Sequence, residues 1–187
     1  MRGSAGSSGA GGTAGGDTAG GFVVRRTVEE DWREVRGLRL EMLADTPLAY
    51  LETVAHAERR SEAEWRAWAR DGSAPDAITA VAITDEGRWV ASMTSKVPRG
   101  ASGAFLFAVY VSPSHRGRAA GVTDAVLTRI EEWARERGDT LTLEVHEHND
   151  RAVAAYRSRG FVETGVTRPY PLDPSSGREL EMRKRLA

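Results

Sequence analysis

The chain has 187 residues, 40% of them hydrophobic, a formal net charge of −1 and no cysteine. That length suits one domain with a core large enough to stand without staples, and the missing thiols exclude disulfides, cysteine nucleophiles and thiolate metal sites. A charge near zero gives no drive toward nucleic acid or an anionic membrane, and no apolar run approaches the roughly 20 residues that cross a bilayer.

Residues 1–21, MRGSAGSSGAGGTAGGDTAGG, are almost wholly Gly, Ala, Ser and Thr. Such a segment buries too little to offset the entropy of ordering, so it reads as a flexible tail. One arginine without an apolar core does not make a secretory signal. The expectation is a single domain over 22–187 in a soluble, cytoplasmic protein.

FVVRRT, from Phe22, reads as a short strand. TVEE then supplies a capping box, with Thr27 as N-cap and Glu30 behind it. Val35, Leu38, Leu40 and Leu43 carry a helix to about Ala44, ahead of Pro47. Ser61 and Glu64 repeat the device and open a second helix that Gly72 ends. Between the two, PLAYLETVAHAERR lacks one clear period, and both a core-packing segment and a substrate-facing lid remain open. Tyr50, Trp65 and Trp68 read as core or as a border of an acceptor pocket.

AITAVAIT and RWVASMTSKV form a hairpin around the turn at 85–87. GAFLFAVYVS is a longer apolar run, as expected of a strand covered on both faces. From Gly121 the period becomes helical: Val126, Ile130, Trp133 and Ala134 share a face, and Gly138 caps the end. TLTLEV returns to alternation, and NDRAVAAYRSRG is a short helix whose RSR end reads as solvated and favoured by the dipole. FVETGV and RELEMRKRL are two more strands around a Pro-rich loop. No internal repeat is apparent. The order β-α-α-β-β-β-α-β-α-β-β describes a mixed sheet with helices on its faces.

VSPSHRGRAAG, residues 111–121, joins the long apolar strand to a helix through small and basic residues. A strand, a small-residue turn and a helix present free backbone N–H groups at a positive helix end. An anion there gains hydrogen bonds and a dipole contribution of about 0.3–1 kcal/mol. Small residues let phosphate oxygens approach the main chain, and arginines add charge-assisted contacts. The segment lacks both GxGxxG and GxxxxGK[ST], so neither a Rossmann dinucleotide site nor a Walker loop is supported. His146 and His148 are the one close histidine pair, and without further ligands no metal site is expected.

VSPSHRGRAAG resembles the V-x-P-x-x-R-G-x-G loop of the GNAT (GCN5-related N-acetyltransferase) family, which receives the acetyl-CoA pyrophosphate. LTLEVHEHNDRAVAAYRSRGFVETG resembles that family's strand, asparagine, short helix, tyrosine and Gly-Phe segment, with matches at Asn149, Ala152, Tyr156, Gly160 and Phe161. The firm resemblance spans residues 104–166. It implies an α/β (mixed α+β) fold with a central mixed, mostly antiparallel sheet of about seven strands flanked by about four helices. The sheet would be splayed between its fourth and fifth strands. Acetyl-CoA is the implied cosubstrate, with no metal. The implied acceptor is a primary amine on a peptide N-terminus or a small molecule, and the protein would be a monomer or homodimer.

Residue by residue, the resemblance places the pyrophosphate on Arg116, Gly117, Arg118, Ala119, Ala120, Gly121 and Thr123. Two registers are open. If Arg116 starts the motif, Ala119 takes its central glycine position; if Arg118 does, Gly121 is central and Thr123 closes it. A turn two residues longer than usual would reconcile them. A positive φ at Ala119 would cost on the order of 1 kcal/mol. The pantetheine arm would bond to backbone at Val109 and Val111, and Asn149 would contact it while capping its helix. In the family the Tyr156 position protonates the departing sulfur, and in the branch acting on protein N-termini a glutamate at Glu144 is the base. A phenol is neutral at pH 7 and still donates. His146, on the same strand face as Glu144, is the alternative base. Two competing readings are a non-catalytic acyl-CoA sensor of the same fold and a nucleotide-binding regulator, which no motif supports.

Overall fold

The computed structural model describes residues 17–18, 21–46, 50 and 52–187. The tail reading for residues 1–16, 19 and 20, and the part of the connecting segment at 47–49 and 51, lie outside the described residues. Among the described residues eight strands form one sheet: β1 (Asp17–Thr18), β2 (Phe22–Arg26), β3 (Ala77–Thr84), β4 (Trp89–Lys96), β5 (Ala104–Val111), β6 (Thr140–His146), β7 (Val162–Pro169) and β8 (Arg178–Arg185). Their order is β1-β2-β3-β4-β5-β6-β8-β7. Asp17 and Thr18, inside the segment read as tail, pair antiparallel with Val24 and Val23. The remaining seven strands are those the sequence predicts, and the family-like mixed sheet is the architecture observed.

The described residues hold five α-helices: α1 (Trp32–Asp45), α2 (Val54–Glu58), α3 (Glu62–Asp71), α4 (Val122–Arg135) and α5 (Asp150–Arg157). The short α2 is the element that the aperiodic connecting segment concealed. Apolar side chains form two cores, one per sheet face. Val126, Ile130 and Trp133 of α4 pack on one side with Leu141, Leu143 and Phe161. Leu38, Met42, Tyr50 and Trp65 pack on the other with Val81 and Trp89. Trp65 is fully buried core, whereas Trp68 lines a cavity between α1, α3 and the sheet beside Ser92 and Ala108.

Local chemistry explains most boundaries. Glu64 N–H donates to Ser61 Oγ at 3.3 Å while Ser61 N–H donates to Glu64 Oε2 at 2.7 Å, the expected capping box at the start of α3. Thr27 does not cap α1. Its hydroxyl donates instead to Ala69 O at 3.1 Å, and a 3-10 turn at Glu29–Asp31 precedes the helix. A tertiary acceptor outcompetes the local one there.

The sheet is antiparallel except where β5 meets β6. That pairing is parallel and joins Ala104, Phe105 and Leu106 to Leu141, Thr142 and Leu143. Beyond those three pairs the strands part, so the sheet opens between its fourth and fifth predicted strands. A register shift opposite Ser92 and Thr94 marks a bulge in β5. Ala108, at φ 50°, lies in it and is the non-glycine residue of positive φ among the described residues. An extra residue in one strand breaks the ladder and turns the chain, here in the pairing with β4.

Candidate active site

The opening is walled by main chain on one side. Ser112 N–H donates to Val90 O at 2.8 Å, toward β4. Strand alternation therefore turns the amides and carbonyls of Val109 and Val111 the other way, into the gap beside β6. Both carbonyls already accept: Val109 O from the Tyr50 hydroxyl at 2.8 Å, and Val111 O from Arg116 Nε at 2.8 Å. Tyr50 thus borders the cleft, reaching it from the α1–α2 connection. Burial raises its phenol pKa well above the ordinary value, and the Tyr156 phenol is close enough to add to that shift.

At the end of β5 the chain makes two turns before α4. Gly117 has φ 96° and Gly121 φ 69°, and the 3-10 turn Arg118–Ala120 lies between them. These glycines carry the positive φ values, so Ala119 bears no such strain. Gly121 leads directly into α4, whose first-turn amides at Val122, Thr123 and Asp124 have no partner within the helix. Gly121, as N-cap, has no side chain with which to cap that end.

The two arginines of the loop differ. Arg116 is built into the fold: its guanidinium pairs with Asp45 at the end of α1 and lies 5.7 Å from the Tyr110 ring centroid. Its hydrogen bond holds the Asp45 carboxyl below the ordinary carboxylate range. Arg118, at the start of the 3-10 turn, is exposed.

Asn149 caps α5, its Oδ1 accepting from Ala152 N–H at 3.2 Å. With Oδ1 so engaged, the side-chain amide is the end that can donate to a ligand. Tyr156, on the same helix, packs against the α4-side core and meets Phe161 edge-on at 5.6 Å. Desolvation pushes its phenol up to about 12, with Arg159 opposing. The RSR segment is not a free solvated end. Arg159, whose side chain is only 12% exposed, bonds Asp124 of α4 at 2.7 Å, and Arg157 pairs with Glu163.

Glu144 stands on the opposite sheet face. Its neighbours Leu143 and Val145 enter the α4-side core, so alternation turns its carboxyl to the α1 side. There it pairs with Arg168 of β7. Tyr156 and Glu144 therefore flank the opening from its two faces. His146 is committed to a corner: its Nδ1 accepts from His148 N–H at 3.2 Å and its ring meets Tyr170 edge-on at 4.9 Å. Tyr50 and Arg168 carried no motif in the sequence; both reach the cleft only through tertiary placement.

A family model described as the acetyltransferase (GNAT) family matches residues 39–161. The chain belongs to the GNAT family of acetyltransferases. It is 31% identical to nourseothricin acetyltransferase, over 60% of this chain and 67% of that one, with a TM-score of 0.55. Likeness of fold extends to the ribosomal-protein-S18-alanine N-acetyltransferase of Escherichia coli (20% identity, 89% and 94% coverage, TM-score 0.61). It also extends to the PaiA N-acetyltransferase of Thermoplasma acidophilum in complex with coenzyme A (16% identity, 88% and 98% coverage, TM-score 0.60). No curated protein matches the chain in sequence. Family and fold together support acetyl-CoA use and N-acetyl transfer, and no helix among the described residues is long and apolar enough to cross a membrane.

Proposed function

We propose that the protein transfers acetyl from acetyl-CoA to a primary amine by direct attack within a ternary complex. The observation that carries this is the parting of β5 from β6, with the main chain of Val109 and Val111 facing the gap and the bare start of α4 at its end. The residues fit the donor. Positive φ at Gly117 and Gly121 leaves backbone amides uncovered by side chains, as a diphosphate requires. Amides of Val109 and Val111 suit a pantetheine arm lying as a strand would, and one of them can polarise the thioester carbonyl. Arg118 and Asn149 add donors.

Tyr156 is the general acid. A phenol held at about 12 keeps its proton for the departing sulfur. Glu144, on the acceptor face, is the base that frees the amine. With no cysteine in the chain, a thioester carrier on the enzyme is not available, which favours direct attack. The acceptor is a small-molecule or peptide amine; nourseothricin and an alanine-terminated peptide are the first to try, from the names of the two relatives.

Calorimetry with coenzyme A and thiol release from acetyl-CoA with those amines test the reading. Binding together with amine-dependent thiol release is expected. Binding without release from any amine would make the protein an acyl-CoA sensor, and no binding would remove the cleft assignment.

A further inference from the structure

Glu144 does not stand alone on its face of the sheet. The β6–β8 register sets Glu144 opposite Glu181 and His146 opposite Glu179, and the β7–β8 register sets Arg168 opposite Glu179. Residues directly opposite share a face, so Glu144, His146, Glu179, Glu181 and Arg168 stand together, while Met182 turns into the α4-side core. Two of these groups are answered locally. Arg183 pairs with Glu181 at 3.0 Å, and the His146 Nδ1 accepts from the His148 amide. Glu144 and Glu179 stand diagonally across β6 and β8 on that face, each beside Arg168. Arg168, 57% exposed, reaches over from β7 to pair with Glu144. Two carboxylates close together on one face repel unless a proton or a cation lies with them. Desolvation, then Glu144, raises the Glu179 pKa above the ordinary glutamate value, and Arg168 opposes the shift.

Resting on the reading of Glu144 as base, we propose that Glu179 is a positioning residue for proton removal. Its carboxyl stands beside Glu144 on the same sheet face so that the two accept the proton of an incoming ammonium as one unit. Arg168 holds the cation's place until the ammonium arrives. In the step, an N–H bond of the ammonium breaks, its electron pair stays on nitrogen and the proton passes to the carboxyl pair. The amine then attacks the thioester carbon, the C–S bond breaks with its electrons on sulfur, and Tyr156 gives sulfur its proton. Exchanging one cation for another keeps the pair compensated throughout, which spares it the cost of burying unpaired charge.

Carboxyl 13C NMR titration of the full chain, without ligand, reads the pair directly. In Glu144→Gln the Glu179 midpoint should fall toward the ordinary value of about 4.3, and in Arg168→Gln it should rise. An unchanged Glu179 midpoint in both variants overturns the proposal. The second readout is the acid limb of kcat/KM for thiol release, with nourseothricin as acceptor in every variant so that its own ionisation is common to all. Glu179→Gln removes a like charge but keeps the shape, so the limb should move to lower pH with coenzyme A affinity unchanged. If Glu144→Gln keeps wild-type turnover, the base reading and this one fall together. If Glu144→Gln loses turnover while Glu179→Gln leaves the limb in place, this one falls alone. Should nourseothricin not be acetylated, the NMR titration decides by itself.

Discussion

The Tyr156 ring meets Phe161 at 5.6 Å and 63°, a contact that makes no use of the hydroxyl. Tyr156→Phe should therefore keep the fold and the coenzyme A affinity while turnover falls by about 10²–10⁴-fold, the range for a lost general acid. Calorimetry and thiol release on the same sample check it, and unchanged turnover would mean the sulfur takes its proton from elsewhere. The raised pKa also has a sign. Because the folded state holds this proton up to about 12, no alkaline loss of kcat should come from Tyr156 until pH nears that value. The loop arginines divide differently. Arg116 bridges Asp45, Val111 O and the Tyr110 ring, so Arg116→Ala should lower Tm, by about 2–4 °C for each kcal/mol lost. Asp45, held below its ordinary pKa by Arg116, contributes stability above about pH 3.9 that disappears as pH falls through its folded value. The Arg116→Ala deficit should shrink in acid accordingly. Arg118→Ala should leave Tm alone and raise the coenzyme A Kd, more so at low salt. The reverse partition would return the phosphate contact to Arg116.

Among the elements, β5 decides the site's shape. Ala108 holds φ 50° within the bulge, a conformation that costs an L-residue roughly 1–2 kcal/mol. Ala108→Gly should relieve that strain and raise Tm. Ala108→Val, β-branched at the same φ, should lower Tm and weaken coenzyme A binding by moving the amides of Val109 and Val111. Thermal scans and calorimetry of the pair check this; a Gly variant no more stable than the parent would say the bulge carries no such cost. This bulge was not legible in GAFLFAVYVS, because no glycine marks it and its register is set against β4. What was legible depended on neighbours in sequence. Ser61 and Glu64 announce α3 because both halves of the box lie within one turn. Gly121, the α4 stripe and the Asn149-to-Tyr156 segment fall where expected for the same reason. Thr27 does not cap α1 because its acceptor is Ala69, and the pairing of Arg116 with Asp45, 71 residues away, has no signal in its own segment. Long-range partners leave no local trace.

At the scale of the molecule the two halves of the sheet, β1–β5 and β6–β8, share three parallel residue pairs, with α4 packed across both. A ligand lying in the gap as an added strand would join the halves along the length they lack. Binding the native state alone stabilises by about 2.7 kcal/mol at a hundred times Kd. At about 2–4 °C per kcal/mol for a chain of this size, Tm should rise by roughly 5–11 °C. The location of the protection matters as much as its size. The amides of Val109 and Val111 face the gap without a strand partner, so their hydrogen exchange should slow on adding coenzyme A, together with those of Val122 and Thr123 at the start of α4. Exchange slowed only at Val122 and Thr123 would mean the diphosphate is held while the arm lies outside the gap. Exchange unchanged at all four, with Tm raised, would place the ligand elsewhere and undo the link between the splayed sheet and acetyl transfer.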